Sequence, residues 1–186
     1  QQKVNLQVNS MKIDCIFDEN LFAFHYENES KNELDCLLDE WNDIEYLDTF
    51  YNENKRQIEN NTYLRINNED EFIDIVIDNA QNIDEILEKL SNNNDLDSFF
   101  EMLSINQNMF EVLSKRKGRQ NLLRIYAIKI DSNCYVITGG AIKITETMQG
   151  HKDTLLELNK LEKCKQYLKE NDVFDSDSFY ELVNDN

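Results

Sequence analysis

The sequence predicts an α+β protein in which an acidic, largely helical N-terminal region precedes a compact basic unit of paired strands and a closing helix. Three observations carry this. Apolar residues recur at three- and four-residue steps through residues 30–100, as on amphipathic helices. From Leu122 the pattern changes to β-branched and aromatic alternation in LLRIYAIKI (residues 122–130) and again over residues 134–145. The charge also reverses along the chain. Residues 1–100 carry 24 acidic and 7 basic side chains, a formal −17, whereas residues 114–169 carry 5 acidic and 12 basic, a formal +7.

Residues 1–10 show no strong period and read as a flexible lead-in. Residues 11–17 and 21–26 are apolar-rich runs joined by Asp18-Glu19-Asn20, a β-hairpin pattern. Ser30-Lys31-Asn32-Glu33 has capping-box spacing, and Leu34, Leu37, Leu38, Trp41, Ile44, Leu47 and Tyr51 follow at helical steps. One long helix reaching about Glu59 is expected. Paired asparagines then bracket a short strand at residues 62–66, and helices are expected over 69–80, 83–90 and 95–103, the last after the Asn92–Asn94 break.

In the second half, Asp131-Ser132-Asn133 joins the two strand patterns as an antiparallel pair, and Gly139-Gly140 inside the second strand marks a bulge or bend. No helix start follows the glycine pair, so it is not a phosphate loop of the P-loop kind. Residues 154–168 place Leu155, Leu158, Leu161, Cys164 and Leu168 on one helical face, with Lys160, Lys163, Lys165 and Lys169 on the outer side. A last short helix at residues 176–183 offers Phe179, Tyr180 and Val183 as a docking edge.

At 186 residues, 40% apolar and 30% charged, the chain has enough apolar surface for a real core. It contains no run of the ~20 apolar residues a membrane helix needs and no signal-peptide segment, so a cytoplasmic protein is expected. The four cysteines stand far apart in sequence and read as buried reduced thiols, and two distant histidines offer almost nothing for a metal site, so no metal or other cofactor is expected. A net charge of −18 argues against nucleic acid as a partner of the whole surface, but the +7 segment provides a local electropositive region.

The run FEVLSKRKGRQNLLRIYAIKIDSNCYVITGGAIKITETMQGHKDTLLELNKLEKCKQYL, residues 110–168, resembles the RelE/ParE/HigB toxin superfamily, most closely its HigB-like, phage-derived branch. The resemblance lies in the order of features. A basic loop containing a glycine (Lys115, Arg116, Lys117, Gly118, Arg119) leads into a Leu-Arg-Ile-Tyr strand at residues 123–126. A second strand ends near glycine, Lys143 with Thr145 stands at the strand exit, and a Lys-rich helix closes the unit. The match covers about a third of the chain and leaves the acidic half outside it.

That resemblance implies a RelE-like antiparallel sheet with helices packed on one side, here with an acidic helical extension. Residues 11–100 would form the acidic hairpin and helices, and residues 101–186 the toxin-like core with its C-terminal helices, the two divisible or continuous. It also implies an antitoxin partner and ribosome-dependent cleavage of mRNA without metal. In that chemistry the RNA's own 2′-hydroxyl attacks the neighbouring phosphate, and cationic side chains stabilise the charge that builds on the phosphoryl oxygens. Arg119, Arg124 and Lys143 are the charge-stabilising candidates, His151 a proton carrier, and Lys115, Arg116, Lys117, Tyr126 and Lys129 the RNA-binding candidates.

Each candidate also has a plainer reading. Arg124 is either a phosphate ligand or the solvent side of a half-exposed strand, and the Lys115–Arg119 cluster either a contact surface or a solvated connection. His151 is either a proton relay or a residue exposed at a helix start, and Tyr126 either a stacking platform or core. Two further readings of the whole stand beside the ribonuclease: a non-catalytic interaction module of the same fold, and a self-masked or degenerate toxin whose residues 30–100 cover the basic face.

Overall fold

The computed structural model describes residues 11–17, 19–62, 64–102, 109–113, 121–144 and 152–185. The elements are β1 (Lys12–Phe17), β2 (Leu21–His25), α1 (Glu33–Asn42), α2 (Ile44–Glu59), α3 (Glu69–Asn92), β3 (Phe100–Met102), β4 (Met109–Leu113), β5 (Leu123–Asp131), β6 (Cys134–Ile142), α4 (Lys152–Glu170) and α5 (Ser176–Asn184). Among the described residues no helix is long and apolar enough to cross a membrane.

The strands form one six-stranded sheet in the order β1-β2-β6-β5-β4-β3. The first and second halves of the chain therefore share a sheet. The α+β class stands, but the expected antiparallel sheet with helices on one side does not describe it. β2 runs parallel to β6, and every other neighbouring pair is antiparallel. A parallel pair needs a long crossover, which the three helices and three strands between β2 and β6 supply. Helices cover both faces: α1, α2 and α3 pack on one around Trp41, Tyr51 and Phe72, and α4 and α5 on the other around Phe24, Tyr126 and Phe179. The cause lies in β5 and β6, whose buried residues point to both sides, as in a central strand enclosed by helices.

The acidic half thus packs on the face opposite α4. The face that carries Arg124 and Tyr126 is covered by the chain's own lysine-bearing helix and not by residues 30–100.

Several local expectations need correction. The helix expected from Ser30 to Glu59 is two, because the Asp43 side chain accepts from the N–H groups of Glu45 (2.9 Å) and Tyr46 (3.5 Å) and so caps a new helix. The cap of α1 is Asn32, which accepts from the Asp35 N–H at 3.1 Å. The helices expected over 69–80 and 83–90 are the single α3, since Val76, Ala80, Ile83 and Leu87 continue one buried stripe. No strand forms at residues 62 and 64–66, where Arg65 takes φ 50°. The helix expected at 95–103 reduces to a 3-10 turn, Leu96–Ser98, followed by β3. Phe100 stacks on Tyr135 at 4.2 Å between centroids, and strand pairing overrides a short helix there.

The β5–β6 hairpin is as expected, with Asn133 at φ 53° in its turn. The glycine pair does mark a bulge: Tyr126 pairs with Gly139 and Ala127 with Ile137, leaving Thr138 as the extra residue. This inverts the alternation along β6. Val136 before the bulge and Ala141 after it both face α4, while Ile137 and Ile142 both face α1. In α4, Leu158 and Leu161 meet the sheet as expected, but Leu155 is exposed, and the buried stripe continues through Cys164, Tyr167 and Leu168. Lys160 is not on the outer side, since only 28% of its side chain is exposed. All four thiols are free. Cys134 and Cys164 are buried, but Cys15 is exposed and Cys36 half-buried.

Candidate functional site

Register brings two of the candidate cations to one end of the sheet. Arg124 lies opposite Leu113 of β4 on one side and Ala141 of β6 on the other. Lys143 follows two residues after Ala141, and its backbone N–H donates to the Leu122 carbonyl at 2.6 Å. From this same end, residues 114–120 connect β4 to β5 and residues 145–151 connect β6 to α4. Lys115, Arg116, Lys117 and Arg119 belong to the first of these segments and His151 to the second. Those five residues lie outside the described ones.

The Arg124 guanidinium is half-buried, and its Nη1 donates to the carbonyls of Leu123 (2.8 Å) and Asn121 (3.0 Å). It straps the chain where β5 begins. Tyr126 is fully buried beneath α4, so it is core and not a platform for a base. Lys129 belongs to the opposite end. Its Nζ donates to Asp97 Oδ1 at 2.7 Å and lies 5.6 Å from the Tyr135 ring centroid. Asp97 also accepts from the Tyr135 hydroxyl, the Asn133 N–H and the Ser132 hydroxyl, so it clamps the β5–β6 turn to the 3-10 turn. Removing it takes one hydrogen bond from the buried Tyr135 and the anchor from the β5–β6 turn. Asp97→Ala is expected to cost about 2 kcal/mol in urea unfolding, whereas Lys129→Met, which keeps the carboxylate, should cost well under half of that.

A second charged cluster adjoins this end, and the sequence reading missed it. β2 stops pairing with β6 at Ala23–Ile137, so beyond the Thr138 bulge the edge of β6 faces a gap. Tyr26 covers its start by donating to the Thr138 carbonyl at 2.6 Å. Across the gap α1 meets α4. Lys160 Nζ bonds Glu33 Oε1, lies 3.6 Å from Glu157 Oε1 and sits 4.7 Å from the Tyr26 ring centroid. Glu29, Glu40, Trp41 and Gly140 complete a niche of about 250 Å³.

Burial dominates the electrostatics here. It pushes the Glu157 carboxyl up to about 7, with Lys160 opposing and Glu33 adding to the rise. Glu33 and Glu40 are raised for the same first reason. Burial acts to lower Lys160, but Glu157 and Glu33 overcome it and hold the ammonium above the ordinary lysine range. Burial also lifts the neighbouring Cys164 thiol to about 12, which leaves it protonated and unreactive near neutral pH. The niche thus sets two carboxyl groups, both raised by burial, around one ammonium.

In the sequence, Glu157 and Lys160 look like an ordinary i,i+3 surface pair and Glu33 like a helix-start residue. The one available signal was the glycine pair. A Cβ added at Gly139 would come within 1.7 Å of Glu157 Oε2, so the glycine admits the carboxylate. A larger concavity, about 970 Å³, lies at the other end of α4 between Ile128, Ile130, Leu168 and Phe174, with Lys163, Lys165 and Lys169 on its rim. Glu162, Lys163 and Lys169 of its lining are exposed, unlike the buried charges of the niche. Comparison of the chain with protein-family models, characterised proteins and solved structures gave no significant match.

Proposed function

We propose that the chain is a RelE/HigB-like toxin-family protein, a metal-independent, ribosome-dependent mRNA endoribonuclease restrained by an antitoxin, and that it meets RNA with the end of the sheet holding Arg124 and Lys143. The observation that carries this is the register that brings Arg124 and Lys143 together at the end of the sheet where β4 stops, β5 begins and β6 stops. Because helices cover both faces of the sheet, RNA contact falls to this rim and not to an open concave face. On this reading Arg119, Arg124 and Lys143 stabilise charge on the phosphoryl oxygens, and His151 carries the proton as the 2′-hydroxyl attacks.

The test is growth on induction. Wild type should arrest growth, Lys143→Ala and Arg124→Lys should relieve the arrest at equal soluble expression, and Lys129→Met at the far end should not. Arrest indifferent to Lys143 and Arg124 would reject the site. A second reading, a non-catalytic interaction module, is favoured by the Arg124 guanidinium's bonds to the backbone carbonyls of Asn121 and Leu123. Absence of arrest with a folded protein selects it.

A further inference from the structure

We propose that Glu157, set between Gly139 and Lys160 with Glu33 on the far side of the ammonium, is a proton-operated latch: protonated, it holds α4 against α1 and the β6 edge, and ionised, it loosens that contact. The inference stands on the geometry of the gap and does not depend on the RNA reading.

Two carboxylates share one ammonium. Lys160 bonds Glu33, whose side chain is only 7% exposed, and reaches Glu157 Oε1 more distantly at 3.6 Å. The other Glu157 oxygen, Oε2, is buried with no hydrogen-bond partner among the described residues, pressed against Gly139. A neutral carboxyl tolerates that position better than a carboxylate, whose buried charge Lys160 and the Gly140 N–H offset only in part. Apart from Lys160, the side chains facing it from the niche are acidic or neutral. From α1 and the turn before it come Glu29, Glu33, Cys36 and Glu40, from α2 Tyr46, from the β2 exit Tyr26, and from α4 itself Lys160 and Cys164. Arg124 and Lys143 share α4's face of the sheet.

The sign follows. Burial raises the folded-state pKa of Glu157, so the folded chain holds this proton up to near neutrality and loses it as pH rises through about 7. On ionisation Glu157 competes with Glu33 for Lys160, and the relief open to it is movement of its turn of α4 toward solvent, where Leu155 and Leu156 are already exposed.

The protein contains its own reporter. Trp41 is the sole tryptophan, it lines the niche, and its ring lies 2.9 Å from a Cβ built on Gly140. Titrating Trp41 fluorescence in the full chain should give a reversible one-proton transition with a midpoint within about one unit of pH 7. Glu157→Gln should abolish it, and His25→Gln and His151→Gln should keep it. Amide exchange in the first half of α4, corrected for intrinsic rate, should be at least about tenfold faster at pH 8.5 than at pH 6 in wild type and equal at both in Glu157→Gln. Should Glu157→Gln fail to fold, Lys160→Met serves instead. Loss of the ammonium removes the attraction that opposes the rise, so the midpoint should move upward by about one unit or more. A flat Trp41 titration, a transition that persists in Glu157→Gln, a midpoint unmoved by Lys160→Met, or α4 protection that ignores pH would each overturn the latch.

Discussion

Alanine at Gly140 is expected to lower stability by about 3 kcal/mol, read as a fall in the urea midpoint at unchanged m-value. The added Cβ would meet the Arg124 carbonyl at 2.7 Å, Leu37 Cδ1 at 2.8 Å and Trp41 Cη2 at 2.9 Å. The first is backbone of a paired strand and the other two belong to the core under α1, so no single flexible group can give way. Gly139→Ala is the informative contrast. There the obstacle is the tip of one side chain, Glu157, which can yield with its turn of α4, and a loss nearer 1 kcal/mol is expected. Equal losses at the two glycines would contradict the close approach of α1 to β6.

Lys160→Met should cost a similar amount, about 3 kcal/mol near pH 7.5, because it strands Glu33, the buried carboxylate that Lys160 bonds directly, without its cation. The double variant Lys160→Met/Glu33→Gln should recover at least half of that loss, since it removes both partners of the direct pair and leaves Glu157 free to take up a proton. Glu157 adds a pH dependence whose sign follows from its burial. Its folded-state value of about 7 stands above the ordinary 4.5, so its contribution is fully present below pH 4.5 and is lost as pH rises to about 7. The shift corresponds to about 3 kcal/mol at most. Unfolding free energies of wild type and Glu157→Gln should therefore diverge between pH 4.5 and 7, with the variant the more stable above pH 7. A constant difference across that range would remove the buried-carboxyl account.

Local chemistry was legible in the sequence, and long-range pairing was not. The β1–β2 and β5–β6 hairpins announce themselves by alternation around short polar turns, and Gly139-Gly140 marked the bulge. The α4 stripe was readable from Leu158 onward. The break at Asp43 was misread because Leu34 to Tyr51 keep one apolar period across it, so periodicity concealed a capping residue. The parallel contact of β2 with β6 joins residues more than a hundred positions apart and leaves no local trace. That contact determines the rest, because it places the acidic helices and α4 on opposite faces. It also opens the gap in which Glu33 and Lys160 meet. Lys160 consequently reads as a solvated lysine on a basic helix, although its partner lies on another element 127 residues away.

The same limit applies to the candidate site. Arg124 and Lys143 were recognisable as cations in a strand context, and register brings them to one end. Tyr126 and Lys129 share their strand but not their role: alternation sends Tyr126 under α4, and the hairpin turn carries Lys129 to Asp97.

The central claim is that this end of the sheet contacts RNA through cationic side chains. Anisotropy of a short labelled single-stranded RNA, titrated with the full chain from about 50 to 300 mM salt, tests it most directly. With three to five phosphates neutralised, log affinity should fall linearly against log salt with a slope of about −2 to −3.5. Lys143→Ala should weaken binding and flatten the slope by about 0.7, the value of one contact, while Lys129→Met leaves both unchanged. No binding at the lowest salt, or a slope indifferent to Lys143 and sensitive to Lys129, would contradict the account.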